Sequence, residues 1–166
     1  NFLRGDLTAP ATDWPLADLV TASYALAEIA PARQAQTIHA LWAATDGMLA
    51  LIEPGTPDGY RRILGARETL IAAGAEILAP CPHAQACPLT APDWCHFVQR
   101  LPRSRDHRLV KGADLPFEDE KFSYLVAVRP GAAADPQYKF RIGTVATKQD
   151  PVGQGAVRLA EVAEQQ

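Results

Sequence analysis

The chain has 166 residues, 48% of them hydrophobic and 21% charged, which is enough for one domain with a real core and ordinary for a globular protein. A formal net charge of −3 excludes a globally basic nucleic-acid binder, so any such surface must be local. No apolar run reaches membrane-span length, and the opening NFLRGDL lacks the basic and apolar segments of a signal peptide; no membrane partner is expected and cytoplasm is the default compartment.

Residues 1–16 read as a loop leading in. Ala17–Ala22 is a short apolar run that suits a buried parallel strand. Ser23 and Tyr24 follow at its carboxyl end, where open α/β sheets bind ligands. A plain strand-to-helix turn with one buried aromatic accounts for them equally well. Residues 32–45 carry Ile38, Leu41 and Trp42 at helical spacing, and Gly47 is expected to end that helix. His39 beside this stripe reads as structural. Residues 48–53, MLALIE, form a second buried strand that runs into Pro54-Gly55-Thr56-Pro57, a turn rich in breakers. Asp58–Ala73 predicts an amphipathic helix on Tyr60, Ile63, Leu64, Leu70 and Ile71, capped by Gly74. Ala75–Ala79 predicts a third strand.

The stretch 80–112 concentrates the reactive groups: all three cysteines, three of the four histidines, four arginines and a lysine. Cys81, Cys87 and Cys95 are spaced C-x5-C-x7-C, looser than the usual zinc pairs. Thiolates are soft ligands for zinc, copper(I) or iron–sulfur clusters, and cysteine followed by proline in a loop sits more easily with a cluster. His83 and His96 are candidate fourth ligands. The competing reading is three small buried hydrophobes. A disulfide is disfavoured by the odd count and the absence of secretion signals. The basic run Arg100, Arg103, Arg105, Arg108 and Lys111 needs anions. RNA or DNA phosphates would serve; so would Glu118, Asp119 and Glu120 just downstream.

Leu115–Glu120 reads as polar, and residues 122–129 as a clear strand of aromatic and β-branched residues. Residues 130–136 are an Ala/Gly/Pro-rich break. Residues 137–147 predict one more strand and 154–166 a terminal helix. The order strand, helix, strand, helix, strand, long loop, strand indicates an α/β sheet, and a loop of that length inside a compact domain is usually functional.

The strings ADLVTASYALAEI, LIEPGTPDGYRRIL, APCPHAQACPL, DWCHFVQRLPRSRDHR and KGADLPFEDEKFSYLVAVR, in that order, resemble the Rsm22 family. These are methyltransferase-like proteins linked to the small ribosomal subunit of bacteria and mitochondria. The resemblance covers about residues 16–129 and does not extend past Pro130. It implies the C-terminal part of a class I (Rossmann-like) methyltransferase sheet. Residues 1–130 would supply strands four to seven, the last antiparallel, with the cysteine-rich segment inserted between the last two. Residues 131–166 would be a tail. The resemblance also implies S-adenosylmethionine as cofactor of the full-length protein and an iron–sulfur cluster held by four cysteines, three of which match Cys81, Cys87 and Cys95.

Ser23, Tyr24 and Glu53 would lie nearest the cofactor pocket. The sequence has no glycine-rich cofactor loop after a first strand, so alone it would form one wall of that pocket. The partner implied is the small ribosomal subunit or its rRNA, in the cytoplasm of a bacterium or in a mitochondrion. The readings that follow are an rRNA methyltransferase, an assembly factor that kept the fold without the chemistry, a zinc-stabilised binding module, or a plain α/β domain with buried cysteines.

Overall fold

The computed structural model describes residues 5–7, 14–103 and 115–131. The predicted strand at 137–147, the predicted helix at 154–166 and the basic residues Arg105, Arg108 and Lys111 lie outside the described residues. Five strands and two helices follow one another as β1 (Ala17–Ser23), α1 (Pro31–Ala43), β2 (Thr45–Pro54), α2 (Pro57–Ala72), β3 (Glu76–Ala79), β4 (Phe97–Pro102) and β5 (Phe117–Val128), with a 3-10 turn at Leu26–Glu28 before α1. They form a mixed α/β domain compatible with a Rossmann-like fold. No helix among the described residues is long and apolar enough to cross a membrane.

The sheet runs β1-β2-β5-β3, with β4 also paired to β5. β1 and β2 are parallel; β5 is antiparallel to β2, β3 and β4. β5 is shared lengthwise. Phe122–Val128 pair with β2, and β3 takes the far end, while Phe117–Phe122 pair with β4. Both helices contribute to one core, built on Leu49, Leu51, Leu125 and Ala127 of the sheet with Ile38, Trp42 and Leu70 of the helices. The alternate residues Met48, Tyr124, Val126 and Val128 form a second cluster with Phe97 and Phe122. This alternation is the period-two consequence of the pleat.

Several expectations need correction, the first being a buried opening strand: within Ala17–Ser23 only Ala22 is buried and Leu19 is exposed. Residues 80–112 are not one loop: Phe97–Pro102 is a strand, and β5 begins at Phe117, five residues before the expected start. Opposite charges face each other across this pairing. Arg100 faces Asp119 in register and binds it through Nε and Nη2 at 2.7 and 2.8 Å, and Arg103 binds Glu118 at 3.0 Å. A run that reads as polar loop is thus a paired ribbon. Gly47, expected to end the first helix, lies inside β2. That helix stops at Ala43 because Thr45 enters the sheet, its hydroxyl donating back to the Leu41 carbonyl at 2.8 Å.

Helix α2 starts as its sequence demands. The Thr56 side chain accepts from the Gly59 amide at 3.1 Å and Pro57 takes the first turn, a regular N-terminal arrangement. Gly74, at φ +80°, ends it with backbone bonds back to Ile71 and from Ala75 to Leu70, as predicted. Gly59 sits directly on the end of β2. A Cβ there would lie 1.9 Å from the Pro54 carbonyl oxygen. Helix propensity favours alanine by about 1 kcal/mol, but such an overlap forces backbone movement. Gly59→Ala is expected to lower unfolding free energy by about 1–3 kcal/mol, read by denaturant titration; an unchanged midpoint would disprove the close approach.

Candidate functional site

The three cysteines lie between β3 and β4, on a segment without helix or strand that is held by side chains from elsewhere. Arg67, buried on α2, donates through Nη2 to the His83 carbonyl, and the same nitrogen lies 3.4 Å from His83 Nδ1. Trp94 donates from Nε1 to the Gly55 carbonyl at 3.1 Å and stacks on His96 with centroids 5.5 Å apart. Ser123 on β5 donates to the Cys95 carbonyl at 2.8 Å. Tyr60 on α2 donates its hydroxyl to Cys87 Sγ at 3.1 Å. Thus an α2 face and the middle of β5 fix the cysteine segment, although the segment has no regular structure of its own.

Cys81, Cys87 and Cys95 all line one cavity of about 50 Å³, together with Tyr60, Arg67 and Tyr124. Each cysteine is half-buried and none is in a disulfide. Burial pushes the Tyr124 phenol up to about 12, with Cys95 and Cys81 adding to the shift. Burial also raises the Tyr60 phenol well above its ordinary value, followed by its hydrogen bond to Cys87. Both phenols therefore stay protonated at neutral pH, and Tyr60 meets Cys87 as a donor.

His83 lines the same cavity but already faces Arg67. His96 Nδ1 is the buried side-chain polar atom without a hydrogen-bond partner among the described residues. Among the described residues no three His, Cys, Asp or Glu donors converge on one point so as to hold a single metal ion. Three soft donors thus line one cavity, and His96, on the residue after Cys95, is not among its lining residues.

The other nominated residues separate into three sets. Ser23 ends β1 and is exposed. Tyr24 follows in a left-handed conformation, φ +54°, uncommon for a residue with a side chain. Its hydroxyl donates to Glu120 of β5 at 2.8 Å, and burial, then Glu120, lifts its phenol to about 12. Glu53 is fully buried and engaged twice. Oε1 accepts from the Leu26 amide at 3.0 Å and Oε2 from Arg62 Nε at 2.7 Å, so it ties β2 to α2 and to the turn after β1. Arg100 and Arg103 are occupied by Asp119 and Glu118, as above. Arg62, Arg67 and Arg129 were not signalled by the hydrophobic pattern. Arg129 donates to the Thr45 and Trp42 carbonyls at 2.8 Å while lying 4.1 Å over the Trp42 ring, closing β5 onto the end of α1.

These features define a Rossmann-compatible α/β domain with a cysteine-lined cavity. The chain belongs to the Rsm22 family: the sequence profile of the family described as mitochondrial small ribosomal subunit Rsm22 matches residues 1–163. The match extends the resemblance past Pro130, where none was expected, and so takes in the tail. The tail also holds a Gly153-Gln154-Gly155 string, downstream of β5 and outside the described residues. The chain is similar to the human "Ribosome assembly protein METTL17, mitochondrial", 28% identical over 123 residues, which cover 68% of this chain and 26% of that protein. The chain thus spans about a quarter of the length of that relative.

Removing the guanidinium at position 62 would leave the Glu53 carboxylate buried and half-partnered. Arg62→Ala is expected to cost about 3–5 kcal/mol in chemical denaturation. A loss below about 1 kcal/mol, the scale of an exposed pair, would mean that this ion pair does not hold the end of β2.

Proposed function

We propose that this chain is the C-terminal part of a class I methyltransferase-like domain that serves assembly of the small ribosomal subunit, with a thiolate-held iron–sulfur cluster as a structural element. The observation that carries the cluster is the meeting of Cys81, Cys87 and Cys95, spread over fifteen residues of sequence, around a single cavity. Zinc, which takes thiolates at about 2.3 Å, is the alternative metal for the same three cysteines. Of the two nominated histidines, His83 lines the cavity, and His96 keeps its unpartnered Nδ1 outside that lining. When bound, the cluster would cross-link β3, β4 and α2 through the cysteine segment.

The antiparallel last strand supports the methyltransferase-like template. β1, which pairs with β2 alone among the described residues, supports a sheet continued by further strands. In that full sheet Ser23 and Tyr24 would stand at the carboxyl edge, where S-adenosylmethionine binds in such folds. Glu53 would hold that edge in shape without reaching the cofactor, since both its oxygens are used within the chain. The assembly reading is favoured over catalysis by the printed role of the human relative. Co-sedimentation of the full-length protein with small-subunit particles, and not with large subunits, is the expected result; equal recovery with both would overturn the proposal.

Two further outcomes follow from the same reading. Anaerobic reconstitution with iron and sulfide should give a brown protein, and Cys87→Ser should lose most of its iron; equal iron content in the variant would remove the cysteines from the site. Rim contacts to rRNA phosphates fall to Arg105, Arg108 and Lys111, because Arg100 and Arg103 already hold carboxylates. Arg105→Ala with Arg108→Ala should reduce the salt slope of RNA binding by about 2, and Arg100→Ala should leave it nearly unchanged. The reverse ranking would place the RNA surface on β4.

A further inference from the structure

We propose that Tyr60 is a positioning residue for the thiolate site: the hydrogen bond from its hydroxyl to the Cys87 sulfur sets how tightly that ligand holds its metal and at what potential. The inference rests on the cluster reading above and concerns a residue outside the cysteine segment.

Tyr60 is in the first turn of α2, where its amide donates to the Thr56 carbonyl at 2.9 Å and the neighbouring Gly59 amide donates to the Thr56 side chain. Gly59 lies against Pro54, with no room for a side chain between helix and strand. The backbone of Tyr60 is therefore fixed relative to the sheet before its side chain meets the cavity. The side chain is buried, and Ile63 and Leu64 on the following turn line the same cavity. In a wall so apolar a phenyl ring would fill the space equally well. What the hydroxyl adds is a donor, and it is aimed at Cys87 Sγ, 3.1 Å away.

Seven residues on, along the same helix face, Arg67 grips the His83 carbonyl. Helix α2 thus supplies both a clamp for the backbone of the cysteine segment and a donor to one of its sulfurs. A donor to a ligating sulfur draws off part of its negative charge. It stabilises the more electron-rich state of the bound metal and orients the ligand, which is how outer partners tune affinity and potential.

The test compares wild type with Tyr60→Phe, both reconstituted anaerobically with ferrous iron and sulfide. The variant is expected to load to the same iron and sulfide stoichiometry. It should then lose iron to a chelator with an affinity lower by about 10–100-fold, and show a lower midpoint potential. A structural role alone would not move the potential. As a second measurement that needs no variant, metal–sulfur stretching frequencies of wild type are compared in H₂O and D₂O; a deuterium shift is expected, and none would overturn the proposal. A loaded Tyr60→Phe variant with unchanged potential and unchanged iron loss overturns the role of Tyr60 and leaves the cysteine site standing. A wild-type chain that takes up no iron overturns the site, and with it this inference.

Discussion

Every backbone amide and carbonyl buried in this fold needs a partner, and β5 is where that requirement is met for most of the sheet. Its buried half, Ser123–Val128, lies between β2 and β3, which pairs with Val126–Val128, and its partly exposed half, Phe117–Phe122, pairs with β4. The cysteine segment is the connection that carries the chain from β3 to β4, so its two ends are fixed by strands on either half of the same β5. Its path over the end of the sheet, past α2 and Ser123, follows from that constraint. The cavity is what remains between this path and the helix.

Among the described residues, several polar contacts close gaps between elements. Glu53 with Arg62 and the Leu26 amide joins β2, α2 and the turn after β1. Arg67 joins α2 to the cysteine segment, and Arg129 joins β5 to the end of α1. Breaking a buried ion pair costs more than the pair contributes over a hydrophobic replacement, so these contacts specify which elements meet more than they stabilise the whole. The core itself is supplied by leucines and isoleucines of the strands and two helices.

The hydrophobic periods were enough to read both helices and four strands, because each buries one face against the same core. α2 was legible nearly to the residue, since Thr56-Pro57 and Gly74 mark its ends with side-chain and backbone chemistry. β4 was not legible. Its residues Val98, Arg100 and Leu101 stay exposed, and it is held by its ladder to β5, some twenty residues away in sequence, and by Phe97 packing on Phe122 and Tyr124. Gly47 misled because a glycine in a strand and a glycine after a helix look alike in one dimension. At the site, the three cysteines could be picked out by composition, and their meeting in one cavity could not. Tyr60 and Arg67 were hidden for a different reason: they sit in a helix whose pattern is fully explained by packing, and only the fold shows which of its side chains also reach across to the cysteines.

Tyr24 has one more consequence. Its backbone is held in a left-handed turn at the end of β1, and its hydroxyl is bound to Glu120 on the ribbon that β4 and β5 form. That bond is a strut between the open carboxyl edge of the sheet and the ribbon that anchors the cysteine segment. The left-handed turn after β1 and the β4–β5 ribbon, 96 residues apart in sequence, are thus tied by a single side-chain bond.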